Sequence, residues 1–366
     1  MTYIFKFVGQ CATRGRFFLL SPRSGIQAVS NVLSLRLPSR GLPFLLLTAA
    51  LFLSVISCQE TGILTGHHVA PTKFATPVSS NLPSTTPSSD GYNTVHEPQF
   101  YPLAAQSSQE LISQLKEFKL WDGVQADVPA VLLNSFPADL KQVDVDIKKK
   151  AFVRALLPAV MLVQAEVRQE RQELLHIIDE IGDPAGLTFS PSHPGWQEGI
   201  SQAQILFIKA LCKKYRTQQA TELLARVNVL PTSLILAQAA IESSWGSSRF
   251  SIQANNLFGM WTWGEKGLIP AQREAGKSHK IAIYDSILDS VRSYLLTINR
   301  LGAYSGLRDI RSSTMDSEAI AEGLINYSER KESYVSSLKK LIKHNNLVVF
   351  DKCRLALAVK IKRAQA

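Results

Sequence analysis

The sequence has little of what a metal-dependent or cysteine-dependent enzyme needs. Its 366 residues include four cysteines and seven histidines, and they contain neither an HExxH pattern nor a glycine-rich phosphate loop. No histidine stands beside a cysteine in a way that would indicate a cysteine nucleophile. We therefore expect no metal and no cofactor, and we disfavour an amidase. Cys212 and Cys353 could pair in an oxidising compartment, but their spacing leaves that open.

Acidic residues are missing from the first 57 positions, which hold six basic ones. The formal net charge of the whole chain is +10, yet the remainder has 34 basic against 30 acidic residues. A nucleic-acid-binding protein would carry its positive charge on the folded body. The excess charge is therefore a targeting feature, and we expect no nucleic acid partner.

An uncharged apolar run, residues 41–57, follows two arginines. A positive region before an apolar one predicts an export signal. The next residue completes Val-Ile-Ser-Cys, which resembles a bacterial lipobox and implies a lipid anchor on Cys58. Gln59 resembles the outer-membrane sorting pattern, so we predict a lipoprotein on the periplasmic face of the outer membrane. The alternatives are a periplasmic protein and an uncleaved anchor in the inner membrane.

Composition divides the chain into five segments. The segment after the leader is rich in Ser, Thr and Pro and lacks hydrophobic periodicity, which predicts a disordered, extended tether. A helical N-terminal region follows, with a short helix at 129–133 and a long one at 145–181. We expect this region to brace the main body rather than to bind a partner. The segments are 1–57 (leader), 58–105 (tether), 106–195 (helical region), 196–350 (main body) and 351–366 (basic helical tail).

The main body is organised around the apolar stretch Leu230–Gly246. Between Arg226 and Arg249 the only charged side chain is Glu242. A helix that is apolar all round is a buried helix, and Glu242 would lie in its last turn. Burial and the negative end of the helix dipole both raise the pKa of a carboxyl there, which suits a general acid. The alternative is that Glu242 points into water or pairs with Arg249.

Residues 251–284 change character, because glycine, asparagine and proline punctuate short runs there. Lys280–Tyr284 alternates like a strand, whereas helical periodicity resumes at 285–299, 317–327 and 334–343. We therefore predict a mainly α fold with a small β-lobe inserted into the helical body. Such an arrangement is lysozyme-like, with a cleft between the lobes that can hold a polysaccharide strand.

Two motifs in this region carry a resemblance to a known family. Ile241–Gly246 reads IESSWG, and Asn255–Gly259 reads NNLFG. Together they resemble the glucosaminidase domain of glycoside hydrolase family 73, and within it the bacterial Bax-type proteins. The likeness extends from about Trp196 to Leu347. It implies a lysozyme-like catalytic domain that acts on glycan strands.

The resemblance also implies roles for individual residues. Glu242 would be the acid, and Glu274, thirty-two residues later, matches best a second acidic residue in the β-lobe. If no carboxylate faces Glu242, the N-acetyl group of the substrate would act as nucleophile. Tyr327 matches a late tyrosine and would place its hydroxyl across the cleft, while Tyr334 is expected to serve packing. Other candidates for the second carboxylate are Glu265, Asp285 and Asp289.

Sugar contacts are expected from aromatic and amide side chains near the motifs. Trp245 could wall off the carboxyl or stack on a sugar. Asn255 and Asn256 could bind sugar hydroxyls or hold the turn of the β-lobe. Trp261 and Trp263 would project the same way from a strand, and one of them would stack on the ligand. Phe258 is expected in the core.

We therefore predict a hydrolase of peptidoglycan glycan strands that cleaves the β-1,4 bond after N-acetylglucosamine. A lytic transglycosylase or muramidase on the same scaffold also needs one acidic glutamate, so the sequence leaves that alternative open. A wall-binding lipoprotein without activity is the other alternative. Replacement of Glu242 by Gln distinguishes an enzyme from a binding module.

Overall fold

The computed structural model describes residues 100–270 and 278–356. The leader, most of the tether, the predicted lipidation site Cys58 and the candidate base Glu274 lie outside these residues. In the described part, no helix has the length and apolar character to cross a bilayer. The α-helices are α1 (Ser108–Glu117), α2 (Val145–Ile181), α3 (Gln202–Tyr215), α4 (Ala220–Arg226), α5 (Thr232–Ser243), α6 (Arg249–Ala254), α7 (Ile287–Arg300), α8 (Ser305–Ser313), α9 (Ser317–Ala321) and α10 (Glu332–His344). The strands are β1 (Tyr101–Leu103), β2 (Asp127–Val128), β3 (Val131–Leu133), β4 (Trp261–Thr262), β5 (Lys280–Ile281) and β6 (Arg354–Leu355).

The mainly α prediction is confirmed, because helices dominate the described residues and the strands are short. The strands form three two-stranded ladders. β1 and β3 are parallel, as are β2 and β6, whereas β4 and β5 are antiparallel and form the β-lobe. The described cysteines, Cys212 and Cys353, are free thiols, so the disulfide considered above is not formed.

One predicted helix is wrong, and the described part of a second contains no α-helix. The segment at 129–133 contains strand β3, because its backbone pairs in register with β1 at Tyr101 and Val131. The described part of the tail, residues 351–356, ends a 3-10 helix (Leu347–Lys352) and continues into β6. β6 pairs with β2 through Asp127 and Arg354. In both places a distant partner strand, rather than local periodicity, decides the backbone conformation.

The long helix α2 runs through the body and does not stand apart from it. Its residues 155–164 are all buried, and it packs against α5 and α7. Gln164 Nε2 donates a hydrogen bond to Thr232 Oγ1 at 2.9 Å, and the guanidinium of Arg292 pairs with Glu166. The prediction of a brace is therefore confirmed, and the brace shares its core with the helices that it supports.

Helix α5 is the central buried helix that the sequence predicts. Residues 232–240 are all buried, and α2, α9, α10 and the 3-10 helix at 347–352 pack against it. Pro231 precedes the helix and offers no side-chain cap. Asp351 supplies one, since its carboxylate accepts from Ser233 N and Ser233 Oγ, both at 2.7 Å. The start of α5 is thereby fastened by a residue 118 positions away.

Candidate active site

The carboxyl of Glu242 lies in the last turn of α5, at the C-terminal end of a largely apolar and buried helix. Its side chain keeps some exposed surface but is otherwise surrounded by protein. Desolvation raises the pKa of Glu242 to about 7, while a hydrogen bond from Tyr334 and the charge of Arg330 act in the opposite direction. Arg249 does not compensate the carboxylate, because its Nε donates to Gln253 instead, at 2.9 Å. The predicted raised pKa is confirmed, and the solvated alternative is not observed.

The residues that follow Glu242 in the IESSWG motif form a tight turn. Ser244, Trp245 and Gly246 have φ of 52°, 59° and 76°, a conformation that L-residues rarely adopt. A Cβ on Gly246 would lie 2.9 Å from Cδ2 of Phe152 and 3.1 Å from Cδ2 of Phe136, so only glycine fits. The turn therefore packs closely on the N-terminal region.

The hydroxyl of Ser243 stabilises this turn through two hydrogen bonds. It donates to Ala239 O at 2.6 Å and accepts from Gly246 N at 2.8 Å. Trp245 packs edge-on against Phe152 of α2, with ring centroids 5.9 Å apart, and Lys149 Nζ lies 5.7 Å from the Trp245 ring centroid. Trp245 is half-buried and thus joins the turn to α2. Its contact with a sugar stays a prediction.

Among the described residues, four buried tyrosines lie close enough to the acid to feel its charge. Desolvation raises the pKa of each of them, and the charge of Glu242 raises it further. The rings of Tyr327 and Tyr334 are stacked at 5.6 Å, and those of Tyr304 and Tyr327 are 6.1 Å apart. Because their pKa values are raised, these side chains stay neutral and can act as hydroxyl donors. They are Tyr294, Tyr304, Tyr327 and Tyr334.

A tyrosine that the sequence did not single out for catalysis contacts the acid. Tyr334, expected to serve packing only, forms the hydrogen bond with Glu242. Tyr327 is 2 % exposed and donates its hydroxyl hydrogen to Phe258 O at 2.9 Å. A hydroxyl has one hydrogen to donate, so Tyr327 holds the start of the β-lobe. Its hydroxyl is therefore buried rather than exposed to a cleft, and the catalytic role expected of Tyr327 stays a prediction.

Comparison with known proteins identifies this region. Residues 217–347 match the glucosaminidase family, described as mannosyl-glycoprotein endo-beta-N-acetylglucosaminidase. This part of the chain is a glucosaminidase-family domain. The resemblance read from the two motifs is thereby confirmed, and the match contains Glu242 and all four surrounding tyrosines.

The chain is also similar to two individual proteins. The chain is 28 % identical over 216 residues to "Protein bax" of Escherichia coli strain K12, which covers 55 % of this chain and 71 % of that protein. It also matches the crystal structure of the catalytic domain of the autolysin Auto from Listeria monocytogenes. That match has 24 % identity and a TM-score of 0.26, and it covers 42 % of this chain and 89 % of the other.

The asparagines of the second motif hold the β-lobe of the glucosaminidase domain. Asn256 is 1 % exposed, and its Nδ2 donates to Met260 O and Ala282 O, both at 2.8 Å, while its Oδ1 accepts from Met260 N. Asn255 Nδ2 donates to Tyr284 O at 3.2 Å. Both amides thus serve the structural role that the motif left open. Asn256 has no remaining donor for a sugar hydroxyl, so its assignment to substrate binding is wrong.

The tryptophans of the β-lobe differ in exposure. Trp263 is 67 % exposed, whereas Trp261 is half-buried and stacks on the His279 ring at 4.1 Å. The two indole centroids are 6.5 Å apart. Trp263 is therefore the better candidate for stacking on a sugar, and that role stays a prediction. The sequence had not pointed to His279.

The candidates for the second carboxylate differ in their surroundings. Ser286 caps α7, because its hydroxyl accepts a hydrogen bond from Asp289 N and donates one to Asp289 Oδ2. The Asp289 carboxylate also pairs with Arg292, which indicates a structural role. Glu265 and Asp285 are exposed, and Glu274 lies in the undescribed segment 271–277. Glu242 meets a tyrosine and an arginine in the described chain. No cluster of three or more potential metal ligands occurs within residues 100–270 and 278–356.

Proposed function

We propose that this domain hydrolyses the β-1,4 bond after N-acetylglucosamine in the glycan strands of peptidoglycan. The observation that carries the proposal is Glu242 itself. It combines a pKa of about 7 with partial access to solvent, inside a glucosaminidase-family domain. A carboxyl with such a pKa is protonated in a large fraction of molecules near neutral pH and can donate its proton to a leaving oxygen.

The proposed reaction needs one proton donor and one nucleophile. Glu242 protonates the glycosidic oxygen as the bond from that oxygen to the anomeric carbon breaks, and positive charge develops on the sugar. Water, or first the N-acetyl group of the substrate, attacks the anomeric carbon. The Glu242 carboxylate then accepts a proton from water and is reset. Tyr334 stabilises that carboxylate, because it donates a hydrogen bond to it.

Digestion of purified peptidoglycan tests the proposal. Mass spectrometry of the fragments should show N-acetylglucosamine at the reducing ends. Reducing muramic acid ends would indicate a muramidase, and anhydro-muramyl ends would indicate a lytic transglycosylase. Glu242→Gln should abolish the fragments, whereas Glu117→Gln, at an exposed glutamate of α1, should release them at the wild-type rate. Peptidoglycan that is bound but never cut would support a wall-binding protein instead.

We also propose that the domain is exported and anchored in a membrane through a lipid on Cys58. The support is the leader and its Val-Ile-Ser-Cys sequence. Metabolic labelling with a fatty acid in a bacterial host should mark the wild-type chain and the control Cys212→Ala but not Cys58→Ala. Equal labelling of all three, or of none, would contradict the anchor. Separation of inner and outer membranes then tests the proposed outer-membrane location.

A further inference from the structure

Gln238 is a polar residue in the least polar part of the fold. It is fully buried, and the other long side chains of α5 before Glu242 are aliphatic. A buried amide lowers stability unless its hydrogen bonds are satisfied. Gln238 stands one helical turn before Glu242, and residues four apart lie on the same helix face. The position indicates a role that an aliphatic side chain could not fill.

Gln238 accepts a hydrogen bond on its oxygen and donates one from its nitrogen, so donor and acceptor follow each other in one order. Tyr294 donates its hydroxyl to Gln238 Oε1. Gln238 Nε2 then donates to the hydroxyl oxygen of Tyr334 at 3.2 Å. Since the Tyr334 oxygen accepts that bond, its hydrogen can point to the remaining partner, Glu242. The series therefore runs from Tyr294 through Gln238 and Tyr334 to the acid.

We propose that Gln238 is a positioning residue that, held by Tyr294, directs the hydroxyl hydrogen of Tyr334 onto the carboxylate of Glu242. The amide makes the direction unambiguous, because its oxygen only accepts and its nitrogen only donates. Each bond of such a series polarises the next, so the donation to Glu242 is stronger than that of an isolated tyrosine. Its consequence for catalysis rests on the proposed function, but the contact itself does not.

Other groups near the acid do not belong to the series. The charge of Arg330 acts directly on Glu242, and Tyr304 and Tyr327 feel the charge of the carboxylate. All three are retained in every variant below. A change in the pKa of Glu242 can then be attributed to the hydrogen bonds that were removed.

Gln238→Met tests the proposal, since it keeps the shape of the side chain and removes both hydrogen bonds. Carbon-13 NMR of glutamate-labelled protein reports the titration of Glu242, assigned by its absence in Glu242→Gln. Weakening the bond to the ionised carboxylate should raise the pKa of Glu242 by up to about 1. An unchanged titration in folded Gln238→Met would overturn the proposal.

A matched control separates positioning from packing. Gln164 on α2 is 1 % exposed and hydrogen-bonded to Thr232 at the other end of α5. Gln164→Met should lower the melting temperature as Gln238→Met does but leave the pKa of Glu242 in place. If both variants raise that pKa equally, the effect is general loosening of the core and the proposal fails.

A second pair of variants keeps the test decisive if Gln238→Met does not fold. Tyr294→Phe removes the donor that fixes Gln238, so it should raise the pKa of Glu242 by a smaller amount. In a Tyr334→Phe background, Tyr294→Phe should add nothing, because the last member of the series is already absent. An equal shift in both backgrounds would contradict action through Tyr334.

Activity measurements keep this inference distinct from the proposed function. In an active enzyme, Gln238→Met should move the basic limb of the kcat/KM profile upward by the same amount as the pKa of Glu242, with KM unchanged. A titration shift in a protein without glycosidase activity would refute the proposed function and leave the positioning role standing. An unchanged pKa of Glu242 in Gln238→Met, in a protein that cleaves peptidoglycan, would refute the positioning role and leave the proposed function standing.

Discussion

Among the described residues, a buried polar cluster lies near each end of α5, and the one at its C-terminal end holds the proposed acid. Near its start, Arg311 donates to Ala225 O and to Asn299 Oδ1, both at 2.7 Å. Near its end, the Glu242 carboxyl meets Tyr334 and the charge of Arg330. Burial changes the pKa of both groups, which falls to about 9 for Arg311 and rises to about 7 for Glu242.

Arg311 and Glu242 differ in how much of each side chain is hydrogen-bonded and how much remains exposed. Arg311 is 4 % exposed, and its donors are taken up by oxygens that the helix ends leave without partners. It keeps its charge near neutral pH and links α8 to the segment before α5. Glu242 retains an accessible surface and a pKa in the range where proton transfer is useful. A perturbed pKa thus indicates catalysis here only in combination with incomplete burial.

The largest expected effect is on turnover, and it belongs to the acid cluster. Glu242→Gln should reduce kcat on peptidoglycan by about 100-fold or more, because an amide cannot supply the proton. Arg311→Met should leave kcat of the folded fraction nearly unchanged. Turbidity clearance with purified proteins at pH 6 measures both. Comparable losses of kcat in the two variants would contradict the claim that only the Glu242 cluster takes part in turnover.

The arginine cluster should instead dominate stability. Arg311→Met should lower the free energy of unfolding by about 3 kcal/mol, since it leaves several buried carbonyl oxygens without donors. Urea unfolding followed by circular dichroism gives the value. Arg249→Met is the control, because Arg249 is exposed and its loss should change stability by less than about 0.5 kcal/mol. A neutral result for Arg311→Met would show that its hydrogen bonds contribute no net stability.

The acid should lower stability at alkaline pH. The pKa of Glu242 is about 7 in the folded state, against 4.5 as the ordinary value of a glutamate, so the folded protein binds more protons than the unfolded chain between these pH values. The contribution of Glu242 to the free energy of unfolding is fully present below pH 4.5 and is lost as the pH rises through about 7. Glu242→Gln should therefore be more stable than wild type by roughly 2–3 kcal/mol at pH 8 and equal to it at pH 4. Thermal unfolding at the two pH values tests the sign.

The smallest expected effect is a difference between the Tyr334→Phe and Tyr327→Phe variants. Tyr334→Phe removes a donor to the carboxylate, so the pKa of Glu242 rises and the basic limb of kcat/KM moves up by about 1 pH unit. Tyr327→Phe should leave that limb in place and lower the free energy of unfolding by about 1 kcal/mol, because its bond goes to Phe258 O. A shifted limb in Tyr327→Phe alone would restore the role that the sequence had assigned to it.

The sequence predicts the helices well, because their periodicity is local information. The long helix at 145–181 and the buried helix around Glu242 both follow from the spacing of apolar residues. Strands β3 and β6 escape prediction, since two or three residues carry no period and their partners are distant in sequence. The choice between Tyr327 and Tyr334 depends on tertiary contacts that no motif encodes. Gln238 was not singled out in the sequence either, although a long polar side chain in an apolar helix is a signal that could have indicated it.

The contacts that hold α5 have a practical consequence for anyone who wishes to isolate the glucosaminidase-family domain. The family match spans residues 217–347, but the cap of α5 comes from Asp351 and the wall behind Gly246 comes from Phe152. Both lie outside the match. Expression boundaries drawn at the matched region would remove a support at each end of the helix that carries the acid, so a working truncation should begin before α2 and extend through β6.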